Sequence, residues 1–249
     1  MNRIAAILAF VMLSLTAIAT NWQDNWKRAT SLYIQKQYDS AAYYYEQVAA
    51  LHPHNAEVYY DLGNTYYRLN RIAPAVLNYE RALRVDPGHQ DAHDNLTITQ
   101  ARISHQIAVV DDIFFVAWWR SMTEHTMAGT WATIALVCFL VALVAFWARR
   151  YTAGGGKLPV QLPGIMIFLC VSSLVFGFAA AANSVHSRKA VIFENDTPLM
   201  SGQQTKGKPA ALLPEGTTVR IITDGGNWLE VSLPDNRTGW VQASMVTKV

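Results

Sequence analysis

Charge is scarce in this chain: 15% of its 249 residues are Asp, Glu, Lys or Arg, whereas 51% are apolar. The scarcity is local. No charged residue occurs from Thr126 to Ala148 or from Pro163 to Ala182, so neither stretch offers a helix face suited to water. Cysteine is rarer still. Cys138 and Cys170 are the two in the chain, each inside one of those uncharged stretches. That placement excludes a disulfide framework, a zinc ribbon or thiol redox chemistry in the polar remainder. The seven histidines do not gather with carboxylates. His89 and His93 form an i, i+4 pair, but a third ligand and a general-base glutamate at zincin spacing are missing, so no metal site is expected. Gly154-Gly155-Gly156 precedes Lys157 without a strand before it, which excludes a phosphate loop. There is no nucleophile elbow or nucleotide fingerprint. A net charge of +2, thinly spread, excludes a nucleic-acid surface. The absences leave a binding protein that is not an enzyme, with no catalytic residue, no cofactor and no metal.

What is present begins with three apolar blocks. Ile4 to Ala19 follows Arg3 and ends in Ala17-Ile18-Ala19, a positive start, an apolar run and a small-x-small site. Residues 1–19 are therefore expected to be a signal peptide, with an uncleaved anchor as the alternative; either form exports the segment after Ala19. The two uncharged stretches are long enough to cross a bilayer, giving expected spans at 126–148 and 160–183. Trp131 and Trp147 bracket the first as interfacial anchors would. Between the spans, residues 149–159 carry Arg149, Arg150 and Lys157 with no acid, which reads as a cytoplasmic loop. Arg120, Arg188 and Lys189 at the opposite span ends nearly cancel that bias. The export signal breaks the tie, placing both polar domains outside the cytoplasm.

Residues 20–105 repeat themselves at an offset of 34. Tyr33 recurs as Tyr67, Ala41 as Ala75, Tyr45 as Tyr79, Glu46 as Glu80 and Pro53 as Pro87. This period, with Tyr59, Leu62, Gly63, Tyr66, Ala75, Tyr79, Ala82 and Pro87 in place, resembles the tetratricopeptide helical hairpin. Gly63, Ala75 and Ala82 permit two helices to approach closely, and Leu62, Tyr66 and Tyr79 fill the seam. The first copy substitutes Ala29 for the glycine and Val48 for the second alanine. A third, partial copy from Gln90, with Leu96 in register, reads as a capping helix to about His105.

Residues 106–125 hold Phe115, Trp118, Trp119 and Met122 at helical spacing. Two readings stand: an interfacial helix on the membrane, or a continuation of the capping helix with a buried aromatic face. From residue 186 to 249 the period becomes alternating. Expected strands at Lys189–Glu194, Thr217–Thr223, Trp228–Leu233 and Gly239–Gln242 are punctuated by Pro198, Pro214-Glu215-Gly216, Asp224-Gly225-Gly226-Asn227 and Pro234-Asp235-Asn236-Arg237. Five or six short strands suggest a small barrel. Glu215-Gly216, Gly226-Asn227-Trp228, Val231 and Arg237-Thr238-Gly239-Trp240-Val241 resemble the bacterial SH3 domain, which implies binding of cell-wall or other peptides. Trp228 and Trp240 would line a groove, or serve the small core.

The fold class is thus a multidomain membrane protein: α-helical tetratricopeptide hairpins, two transmembrane helices and a small all-β SH3-like barrel. On such hairpins the first helix of each pair lines the concave face, so the partner-binding residues are expected to be Trp26, Tyr33, Tyr60, Asn64, Tyr67, Arg68 and Arg102. Aromatic side chains beside Asn64, Arg68 and Arg102 suit a peptide or a terminal carboxylate. The order of export signal, repeats, Trp118-Trp119-Arg120, two spans with an Arg-Arg loop and SH3-like module resembles the BatE-type aerotolerance proteins of bacterial envelopes. That resemblance implies a scaffold beside membrane proteins with von Willebrand factor A domains and a cytoplasmic MoxR-type ATPase. The other functional class is a cell-wall anchor or sensor gripping peptidoglycan through the SH3-like module.

Overall fold

A computed structural model describes residues 22–103, 113–124, 128–151, 161–186, 188–203 and 207–249. The expected signal peptide and most of the basic loop lie outside those residues. The chain forms two compact units, one from the repeats together with the C-terminal β-domain and the other from the segment between them.

The repeat stack comprises α1 (22–34), α2 (Tyr38–Leu51), α3 (Ala56–Arg68), α4 (Ile72–Val85) and α5 (Gln90–Gln100). Its periodicity extends to single backbone hydrogen bonds. Gln37 N–H donates to the Leu32 carbonyl, and 34 residues later Arg71 N–H donates to the Tyr66 carbonyl. Each bond closes a Schellman turn around a left-handed residue, Lys36 (φ 61°) or Asn70 (φ 58°). Asn55 caps α3 by accepting from Glu57 N–H at 3.1 Å. At the α3–α4 seam a Cβ added to Gly63 would stand 2.7 Å from the Tyr79 ring, so the absence of a side chain sets the helix separation. Ala75, Tyr79, Ala82 and Leu62 are buried there.

The β-domain has β1 (Lys189–Ile192), β2 (Thr197–Leu199), β3 (Ala211–Leu213), β4 (Thr218–Asp224), β5 (Trp228–Ser232), β6 (Thr238–Gln242) and β7 (Val246–Lys248). Five strands form an antiparallel sheet in the order β6-β5-β4-β1-β7, and β2 pairs with β3. The pairing of Met200 with Trp240 joins the two sheets. Alternation sends Leu229, Val231 and Val241 inward with Ile192, Leu199, Leu213 and Val219. Gly239 is required by the close crossing: an added Cβ would stand 2.7 Å from Leu199 and 2.9 Å from the Met200 carbonyl. The three-residue strands β2, β3 and β7 are too short to show alternation, which is why four strands stand out in the sequence.

This β-domain is seated on α4. Val191 of β1 is fully buried in the apolar cluster of the repeats, where Ala73, Val76 and Leu77 sit, and Phe193 and Val249 pack against it. Lys189 Nζ lies 2.8 Å from Glu80 Oε2, a carboxylate whose side chain is 4% exposed. Arg84 donates to the Val249 carbonyl at 2.7 Å. Gly216, with φ +80°, sits against Ile72 and Ile103, its missing Cβ 3.0 and 3.2 Å from them.

In the other unit, α6 (Phe114–Glu124) packs on α8 (Leu162–His186), which pairs with α7 (Ala128–Tyr151). Phe176 receives Trp118, Trp119 and Trp131, with ring centroids 5.8, 5.1 and 5.0 Å away. Phe114 and Phe115 are exposed, and Trp118 and Trp119 turn to α8. Helices α7 and α8 are long and apolar enough to cross a membrane. They meet through small residues, Ala135, Ala142, Ala145, Ser173 and Ala180, which are buried while most larger apolar side chains face outward.

Candidate binding site

The first helices of the hairpins, α1, α3 and α5, bring the expected residues together in two groups. The first group stands at their C-terminal ends. Arg68 Nε donates to Tyr33 Oη at 3.5 Å, and the Arg102 guanidinium lies 4.2 Å over the Tyr67 ring. Both arginines are exposed and both tyrosines half-buried. One guanidinium stacked on a tyrosine ring and one bonded to a tyrosine hydroxyl form an open strip with donors left for a ligand.

The second group is committed to the stack. Asn64 Oδ1 accepts from Tyr79 Oη and Asn95 Nδ2, each at 2.8 Å, which ties α3, α4 and α5 together. Tyr60 accepts from Asn95 at 3.4 Å and stands 4.8 Å from the His89 ring. Trp26 packs against both apolar clusters of the repeats, and its indole bonds Asp61. Trp26 also lines an open cavity along α1 with Trp22, Thr30 and Ile34, while Arg68 and Arg102 are the exposed members of the expected set.

Sequence reasoning missed Asp61. Its carboxyl accepts from Trp26 and Tyr45, yet burial, followed by the charge of Glu57, pushes its pKa up to about 6. Glu57, Asp61 and Asn64 fall at steps of four and three on α3, a spacing that already places Asp61 on the groove side. A folded pKa above the usual carboxylate value stabilises the native state most below about pH 4, where both states hold the proton. That stability is lost as pH rises through about 6. The Asp61→Asn variant should therefore be more stable than wild type at pH 7, by up to about 3 kcal/mol. The gap should close toward pH 4. A gap independent of pH would show that Asp61 titrates normally.

On the β-domain, Trp228 and Trp240 occupy the outer face of adjacent strands. Trp240 pairs with Glu230 and Trp228 with Gln242, both indoles are half-buried, and their neighbours Leu229 and Val241 point into the core. The structure therefore gives both a surface component and leaves the core to aliphatic residues. Among the described residues, no cluster of three or more His, Cys, Asp or Glu side chains is placed to hold a metal.

The fold thus defines a protein of helical repeat hairpins, two candidate membrane helices and an antiparallel SH3-like domain. Comparison with known families agrees segment by segment: residues 32–96 match the tetratricopeptide repeat, and residues 201–247 match the bacterial SH3 domain. Among solved structures, the chain is similar to the Sgt2 TPR domain from Aspergillus fumigatus at 13% identity. That alignment covers 65% of this chain and 84% of that one, with a TM-score of 0.32. No curated protein matches the sequence.

Proposed function

We propose that the protein is a non-enzymatic, membrane-anchored scaffold of the bacterial envelope that holds a protein partner in its repeat groove. The observation that carries this reading is the open strip of Tyr33, Tyr67, Arg68 and Arg102, aromatic and guanidinium groups of the kind that dominate interface energies. A peptide carboxylate would bridge the two arginines while its apolar side chains lie on the tyrosines. Following the BatE resemblance, the partners are membrane proteins with von Willebrand A domains, linked to a MoxR-type ATPase and serving stress tolerance. Purification in mild detergent after wall digestion tests this: envelope proteins retained with the chain support it, and loss of every protein partner on digestion contradicts it. The second reading, an anchor or sensor on peptidoglycan, is favoured by the two indoles Trp228 and Trp240 on one face of adjacent strands and predicts the opposite outcome.

The seating of the β-domain on α4 supports a shared compartment for the two polar domains, because the chain between them holds two candidate spans. In the proposed topology that compartment is the periplasm, and residues 149–159 are cytoplasmic. With Cys138 and Cys170 replaced by serine, a cysteine at Asn227 should react with an impermeant thiol reagent once the outer membrane is opened. A cysteine at Gly155 should react only after lysis. The reverse pattern would invert the topology.

A further inference from the structure

Quasi-equivalent positions of the two repeats are not equivalently buried. Tyr43 and Glu46 on α2 are exposed, but Leu77 and Glu80, 34 residues later on α4, are 5% and 4% exposed. Asp39 is exposed and its counterpart Ala73 is buried. The partner of the repeated glutamate changes too. Glu46 accepts from the Tyr66 hydroxyl of the following hairpin, whereas Glu80 is met by Lys189, the first residue of β1. Leu77 shares its cluster with Val191. A helical solenoid needs its last repeat covered by something with a polar outer face, since each repeat buries its apolar flank only against a neighbour.

We infer that the C-terminal β-domain is the terminal cap of the repeat stack, docked by β1, the Gly216 turn and Val249 onto an outer flank of α4 that is apolar at Ala73 and Leu77, whereas the same flank of α2 stays in solvent although a further hairpin follows it. The partner this flank fits is the chain's own SH3-like domain. The domain contributes this flank of its sheet to folding and keeps the indole face of β5 and β6 for ligands. Docking on a second helix also leaves the strip on α1, α3 and α5 open. The pair behaves as one folding unit, although about 85 residues separate Ile103 from Lys189 in the sequence.

The contact is specific enough to be tested by charge reversal, because Glu80 is nearly enclosed and a second carboxylate opposite it would leave both without a counter-ion. In the full chain, purified in detergent, Lys189→Glu should speed amide exchange across α4 at least tenfold. The double variant Glu80→Lys with Lys189→Glu should return α4 to within about threefold of wild type. Unchanged exchange in the single variant would overturn the proposal, since α4 would then not depend on the β-domain. Accelerated exchange that the double variant fails to restore would overturn it as well, assigning the loss to damage in the β-domain itself. Neither readout involves an external partner, so the result is separable from the fate of the scaffold reading.

Discussion

Replacing Gly63 by leucine should unfold the repeat stack. Even one added carbon would stand 2.7 Å from Tyr79 Cδ1 and Cε1, well inside contact distance. The ring has no path of retreat, because Tyr79 is 1% exposed and its hydroxyl is held by Asn64. Overpacking of a tight core costs about 1–3 kcal/mol and occasionally more; a leucine aimed at a fixed ring belongs at the upper end. A stack of two hairpins and one capping helix has little stability in reserve. Amide exchange within α3 and α4 of the full chain should therefore approach that of an unfolded segment, while α7 and α8 keep their protection. Wild-type protection in α3 and α4 would mean that the seam does not close as described.

The second large effect concerns recognition. The Tyr67→Ala, Arg68→Ala double change removes the ring that seats Arg102 and the guanidinium that seats on Tyr33, so it strips both halves of the open strip. Arg68 is exposed and Tyr67 half-buried, and neither fills the seam. The helices should persist. Loss of two such anchors should weaken partner capture by about 2 kcal/mol or more, roughly thirtyfold. An undiminished yield of captured envelope protein would move the interface elsewhere on the chain.

Much of this was legible in the sequence because the repeat period is a packing period. Gly63, Ala75, Ala82 and Tyr79 announce the seam by size alone, and the uncharged stretches announce α7 and α8 by hydropathy. The candidate site was legible in part. Spacing on the first helices puts Tyr33, Tyr67, Arg68 and Arg102 on one face, since side chains three and four apart share a face, and the structure joins them as the pairs Arg68–Tyr33 and Arg102–Tyr67. Spacing does not report what a side chain is already bonded to, so the bonds of Asn64 to Tyr79 and of Tyr60 to Asn95 are seen only in the structure. Asp61 was passed over because a carboxylate on a helix reads as a solvated surface until its burial is seen. The docking of β1 on α4 was invisible for a different reason. It joins residues more than 100 apart through Glu80 and Lys189, and neither residue differs in type from ordinary surface charge.

The central claim is that the first-helix face of the repeats captures a protein partner, and site-specific photocrosslinking in living cells tests it most directly. A photoreactive phenylalanine analogue at Tyr67, in the strip, is compared with the same group at Tyr43, which is exposed on the outer surface of α2. The account predicts a discrete envelope-protein adduct from position 67 and none from position 43. Adducts from position 43 alone, or none from position 67 while the partner still co-purifies, would contradict it.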